Sequence, residues 1–194
     1  MKWIKIRRNR KINQYGSSRK IFSQLLLPYN PTPEDLIRTV LHELTVKKGQ
    51  VLYDLGCGDG RVLRIAAEEF GLHAVGYEID TTRIQVCRET LRSLPLKIQK
   101  KIRIFEQDLF TADLNKADLV YIYGLPDVFP YLVHVIQTCQ PDTILILVLY
   151  EPGETVKREM GIVIERKISI RNASWFAYIA KKMEKENSGA ATGI

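Results

Sequence analysis

From Gln50 onward the chain has a rhythm that narrows its possible folds: short apolar runs alternate with segments of helical period. Strands alternating with helices imply right-handed crossovers and a mainly parallel sheet covered on both faces. Residues 51–55 (VLYDL) read as a buried strand and 56–60 (GCGDG) as a tight loop. Residues 61–70 read as a helix with Val62, Leu63, Ile65, Ala66 and Ala67 on one side, stopped by Gly71. A second strand spans 73–77 and ends at Glu78. Residues 81–94 form the next helix, with Ile84, Cys87, Leu91 and Leu94 at helical spacing and Pro95 closing it. Further strands are predicted at 102–105, 118–123 and 144–150, with a helix over 127–139 for which Asp127 is the expected N-cap. The rhythm breaks at the end, where 161–170 and 173–180 are strand-like runs separated only by Arg171 and Asn172, the pattern of a two-residue hairpin. Upstream, residues 28–33 (PYNPTP) lead into a helix over 34–44, with Thr32 as expected N-cap and Pro33 at the first helical position.

Charge divides the chain in two. The net charge is +7, but eight of the 29 basic residues lie in the first twenty positions, which hold no acid. The remainder carries 21 basic residues against 22 acids. The pI of about 9.3 therefore reports an N-terminal arm, and a domain that presents one broad basic face to nucleic acid is not expected. The composition, 45% hydrophobic and 26% charged, excludes a mostly disordered or fibrous chain. Cys57, Cys87 and Cys139 are too few and too scattered for a disulfide framework or a zinc site, and His42, His73 and His134 match no metal-ligand spacing, so no metal is expected. No apolar run approaches the roughly 18 residues of a spanning helix. The expected domains are a basic arm at 1–27, one α/β domain at 28–182 and a tail at 183–194.

The acids around the glycine loop select a ligand. A GxGxG turn welcomes glycine for conformational reasons alone. A dinucleotide would bring a pyrophosphate to this position, where Asp54 and Asp59 would repel it. A cationic ligand reverses the sign: two carboxylates attract an ammonium or a sulfonium. An acid at the end of the second strand, Glu78, suits ribose hydroxyls. Ile79 and residues 107–110 (QDLF), including Asp108 and Leu109, offer an apolar slot and a polar group for an adenine.

Residues 51–61 (VLYDLGCGDGR), 76–80 (GYEID) and 107–109 (QDL) resemble, in order and spacing, the three cofactor motifs of class I S-adenosylmethionine-dependent methyltransferases. The resemblance covers about residues 28–182. It implies a Rossmann-like seven-stranded sheet, mainly parallel with a C-terminal antiparallel hairpin, and S-adenosyl-L-methionine as cofactor. Within the class, PYNPTP placed before the glycine loop, followed by GDGR, is similar to small prokaryotic and archaeal protein-lysine methyltransferases. Their mitochondrial relatives modify lysines of the ATP synthase c-ring protein and the adenine nucleotide translocator. Asn30 departs from that pattern, in which an apolar residue is expected. The resemblance implies that Asp54, Gly56, Gly58 and Asp59 hold the methionine portion, with Gly60 also among the cofactor-binding residues. It further implies that Glu78 binds ribose, that Ile79, Asp108 and Leu109 border the adenine, and that Tyr29 and Tyr123 border the methyl-transfer site.

The expected activity is methyl transfer to a protein lysine by direct displacement, with Tyr123 positioning the acceptor. The alternatives are an RNA methyltransferase and a non-catalytic cofactor-binding module. Residues 123–127 (YGLPD) lie where an acceptor would enter and lack the Asn/Asp-Pro-Pro-aromatic pattern of the enzymes that methylate exocyclic amines of DNA or glutamine. Trp175 and Phe176 read as sheet packing. The arm admits four readings: a solvated tail, a guide to an acidic protein or RNA, a peripheral membrane contact through Trp3, Ile4 and Ile6, or a mitochondrial targeting segment. A reducing, cytoplasmic location is the expectation from cysteine usage.

Overall fold

The computed structural model describes residues 30–170 and 174–184; the basic arm, Tyr29, the turn residues Arg171 and Asn172, and the far tail lie outside them. The elements in chain order are α1 (Glu34–Glu43), β1 (Val51–Leu55), α2 (Arg61–Glu68), β2 (His73–Glu78), α3 (Thr81–Arg92), α4 (Leu96–Gln99), β3 (Ile102–Glu106), β4 (Leu119–Ile122), α5 (Phe129–Ile136), β5 (Ile144–Val148), α6 (Glu154–Met160), β6 (Ile162–Ser169) and β7 (Phe176–Lys182). Single 3-10 turns at Leu109–Thr111 and Pro126–Val128 follow β3 and β4.

The strands form one seven-stranded sheet in the order β3-β2-β1-β4-β5-β7-β6. Pairs among the first five are parallel, and β7 is antiparallel to both β5 and β6. This is the expected Rossmann-like topology. The chain runs outward from β1 through β2 to β3, then returns to β4 and runs the other way. Right-handed crossovers therefore place the helices of the two halves on opposite faces. Beside β1 and β4 the direction reverses, and there a crevice opens at the carboxyl ends of the strands.

Alternation along the central strands supplies both cores. Leu52, Leu119, Tyr121, Ile146 and Val148 join Leu36, Ile37 and Val40 of α1, Leu63 and Ile65 of α2, and Cys87 of α3 in one buried cluster. The intervening residues Val120, Ile122, Leu145 and Leu147 face the other way and are also buried, as are Phe129, Leu132, Val135 and Ile136 of α5. Phe129 is fully buried. Phe129→Ala is expected to destabilise the fold by about 3–5 kcal/mol, from lost transfer free energy and a residual cavity, measurable by urea unfolding.

Several local expectations are corrected. Pro33, not Thr32, is the N-cap of α1: its extended backbone turns its carbonyl toward Leu36 N–H and Ile37 N–H, at 3.1 and 3.3 Å. Thr32 is buried just outside the helix. Asp127 does not cap α5 with its side chain; it sits in the 3-10 turn before that helix. Among the described residues the register of the C-terminal hairpin ends at Ser169 with Phe176; the turn expected at Arg171 and Asn172 lies outside them. Helix α6 is not foreshadowed by any periodicity. It is short, begins at Gly153 and ends on Gly161 in the left-handed region (φ 64°).

Candidate functional site

The glycine loop is anchored before anything binds to it. The N–H groups of Gly56 and Cys57 both donate to the Tyr77 carbonyl at 2.9 Å, and Gly60 N–H donates to Cys57 O at 2.8 Å. Gly56 (φ 95°), Gly58 (φ 54°) and Gly60 (φ 80°) all occupy the left-handed region, which favours glycine. A Cβ on Gly60 would overlap the Cys87 Sγ of α3. The loop thus turns tightly from β1 into α2 while packing on α3.

The acids expected at this site are brought together, with different partners. Glu78, at the end of β2 and 6% exposed, accepts Gly58 N–H at 3.0 Å through Oε2, and the N–H groups of Ile79 and Asp80 at 2.8 and 2.9 Å through Oε1. One carboxylate so pins the loop to the β2–α3 turn and retains room for a further donor. Asp54 is 4% exposed. Burial pushes its carboxyl well above the ordinary range, with Glu78 and then Asp59 adding in the same direction. Asp59 is held by Arg61, whose Nη2 lies 2.6 Å from Oδ2 and whose Nε reaches both oxygens at 3.1 and 3.0 Å. The attraction that Asp59 offers a cation is therefore largely answered within the protein, which sequence spacing does not reveal. Arg61 also donates from Nη1 to Thr32 O at 3.2 Å, tying residues before α1 to the loop.

Asp108 and Leu109, the residues expected on the adenine side, lie at the next strand end. Asp108 accepts Phe110 N–H at 2.9 Å and so shapes the turn after β3. That turn carries Leu109 toward the loop, 3.8 Å from where a Gly56 Cβ would be. Tyr123 follows β4 and meets Trp175 edge-on, ring centroids 5.6 Å apart at 74°. Trp175 lies just before β7, so it is a wall of this corner as well as packing. Tyr121 and Thr32, neither of which the sequence places at this site, are buried and lie against each other. A signal for Tyr121 exists in the sequence: it shares the face of Tyr123, two residues on. The Cys57 thiol, hydrogen-bonded to Cys87 and buried, is pushed up, which disfavours a thiolate nucleophile in the loop. A shallow surface depression bordered by Arg38, His42 and Glu69 lies toward the opposite end of α2; its charges pair with each other, Arg38 with Glu69 at 2.8 Å.

The donor set fits a cationic, adenosyl-bearing cofactor. Asp54 is a buried carboxylate next to the glycine loop, three left-handed glycines leave the backbone bare, and Glu78 at the end of β2 keeps acceptor capacity beyond its backbone donors. A pyrophosphate would meet Asp54 instead of a donor.

Comparison with known proteins agrees. Residues 54–155 match the family described as the ANTKMT methyltransferase domain. A protein-lysine N-methyltransferase of Saccharolobus islandicus is 33% identical over 143 residues, 70% of this chain and 87% of that protein. A lysine N-methyltransferase of Xenopus laevis named for the c-type component of ATP synthase is 32% identical over 59% of this chain, which spans only 49% of that longer protein. Among solved structures, an RNA methyltransferase of Salinibacter ruber in complex with S-adenosyl-L-homocysteine superposes with a TM-score of 0.70 and 27% identity, covering 80% of this chain and 95% of that one. With its motif-bearing core matched across residues 54–155 and its fold matched beyond them, this chain belongs to the ANTKMT methyltransferase domain family.

Proposed function

We propose that the protein transfers a methyl group from S-adenosylmethionine to the side-chain amine of a protein lysine. The observation that carries this reading is the acid-lined glycine crevice, set in a chain 33% identical across 87% of an archaeal protein-lysine N-methyltransferase. When bound, the cofactor supplies a methyl group already activated on a sulfonium. The protein's part is to bind, orient and desolvate. Asp54 would meet the cationic methionine portion; Gly56, Gly58 and Gly60 would let the backbone approach it; Asp59 holds the loop through Arg61. Glu78 would accept from ribose, and Ile79, Asp108 and Leu109 would border the adenine.

The acceptor side needs less machinery. A lysine has a reference pKa of about 10.4, so its neutral form at pH 7 costs roughly 4.6 kcal/mol. An aromatic wall of Tyr123 and Trp175 excludes water and lowers that cost by disfavouring the charged form. Tyr123 then fixes the amine's approach, and orientation supplies much of the remaining acceleration. The catalytic domain in this reading is residues 28–182.

A second reading rests on the Salinibacter structure, named an RNA methyltransferase, and on a basic arm suited to phosphates. One experiment separates them. With cofactor labelled in its methyl group and a cell extract, the label is expected in material destroyed by protease and resistant to ribonuclease. Label lost only to ribonuclease would establish the RNA reading, and cofactor binding without label transfer would establish a binding module.

A further inference from the structure

Tyr121 is the anomaly of the core. It is 2% exposed, and its hydroxyl is fully buried with no hydrogen-bond partner among the described residues. A phenylalanine would fill the same space without leaving a buried polar group unsatisfied. Its place suggests why a hydroxyl is there. β1 and β4 are parallel neighbours in which Tyr121 is the register partner of Asp54. Residues in register on adjacent strands project to the same face, with backbones about 4.8 Å apart. Asp54 is the buried acid of the glycine crevice, and no described side chain or backbone N–H hydrogen-bonds to its carboxylate in the structure. A donor without a hydrogen-bond partner and a buried acid thus lie on the same face of neighbouring strands in direct register. Thr32 also lies against the phenol, without hydrogen-bond geometry to it. Burial raises the phenol's pKa and the Asp54 charge reinforces that shift, so the hydroxyl keeps its proton and remains a donor.

We propose that Tyr121 is a positioning residue of the cofactor site, whose hydroxyl donates to the Asp54 carboxylate and holds it ionised and aimed when a cationic group lies against it. The inference rests on the cofactor reading above. It gives the hydroxyl a role in binding and none in the stability of the free protein. A carboxylate lacking hydrogen bonds is a poor buried anion, because nothing replaces the water it has lost. One donor from the neighbouring strand supplies that replacement without adding a positive charge that would repel the ligand. An arginine there would cancel the attraction, as Arg61 largely does for Asp59.

The test uses the full chain, with calorimetric binding of S-adenosylmethionine and thermal unfolding of the free protein. Tyr121→Phe is expected to weaken binding about tenfold, the scale of a hydrogen bond to a charged group, while the unfolding midpoint stays level or rises. In an Asp54→Asn background, Tyr121→Phe is expected to cost at most about twofold more, because the hydroxyl's partner has already lost its charge. Unchanged affinity on Tyr121→Phe overturns the proposal. An equal loss in both backgrounds also overturns it, since the hydroxyl would then act elsewhere. If the unaltered protein does not bind S-adenosylmethionine, the cofactor reading itself fails, and this inference fails with it; that result is distinct from the other two.

Discussion

Asp54→Asn is expected to make the free protein more stable and to weaken S-adenosylmethionine binding about 100-fold, the scale for losing one partner of a desolvated charge pair. Both effects have one cause. Asp54 is buried beside Glu78 and Asp59, and its carboxyl is held well above its ordinary value. In the unfolded chain it ionises near 3.8. Between that value and the raised folded value the unfolded chain binds fewer protons, so stability falls as pH rises through the interval. The amide occupies the same space and has no charge to desolvate, so the variant loses this pH-dependent decline. It also lacks the anion that a cation would meet. Thermal unfolding of the free protein from pH 4 to 8, with calorimetry of binding at pH 7.5, checks both halves. A variant that is less stable at pH 7.5, or that binds as well as the parent, would remove Asp54 from the site. Opposite signs for stability and binding are the mark of a residue kept for function at a cost to the fold.

Gly76→Ala is expected to lower stability by about 3 kcal/mol, near the upper end for overpacking a closed core. Gly76 has an ordinary strand conformation, so the reason is space. A Cβ there would lie 2.6 Å from Leu63 Cδ1, 2.7 Å from Cys57 Sγ and 2.9 Å from Cys57 Cβ. Leu63 is fixed on α2 and Cys57 in the glycine loop, so the methyl must push the loop off β2. The Gly56 and Cys57 bonds to Tyr77 O would be strained, and cofactor affinity should fall with stability. Gly153→Ala is the control: nothing lies within 4 Å of its Cβ position, and the expected loss is about 0.5–1 kcal/mol, the scale of alanine at a helix N-cap. Urea unfolding of both variants decides the comparison. A Gly76→Ala protein as stable as Gly153→Ala would mean that the loop and β2 are not packed as closely as these distances require.

Gly76 also shows how far local pattern carries. As part of the GYEID motif it marks the strand that ends in the ribose acid, and that strand is where the pattern places it. The close approach of Cys57 and Leu63, which explains the glycine, joins residues 13 to 19 positions away, and no periodicity records it. Helix α6 escapes for another reason: seven residues, Glu154–Met160, bury only Met160. Such a helix has no apolar stripe to read, and it is held by α5 beside it and by Gly161 at its end. Thr32 and Asp127 do not cap their helices because a capping residue type in front of a helix is only a propensity. The extended backbone at Pro33 and a 3-10 turn at Pro126–Val128 move the real helix starts.

Local pattern along the chain is enough to establish the alternating α/β order, the antiparallel ending and the places of Asp54, Glu78, Asp108 and Tyr123 at strand ends. These follow from periodicity and from handedness rules that hold for any such chain. Which acids keep their charge available is settled by packing in three dimensions. Asp59 is taken up by Arg61, Glu78 is shared among three backbone N–H groups, and Asp54 stands beside Tyr121, a residue 67 positions away and adjacent through strand pairing. Electrostatics in a buried site depends on distance and desolvation, and those are properties of the packed fold.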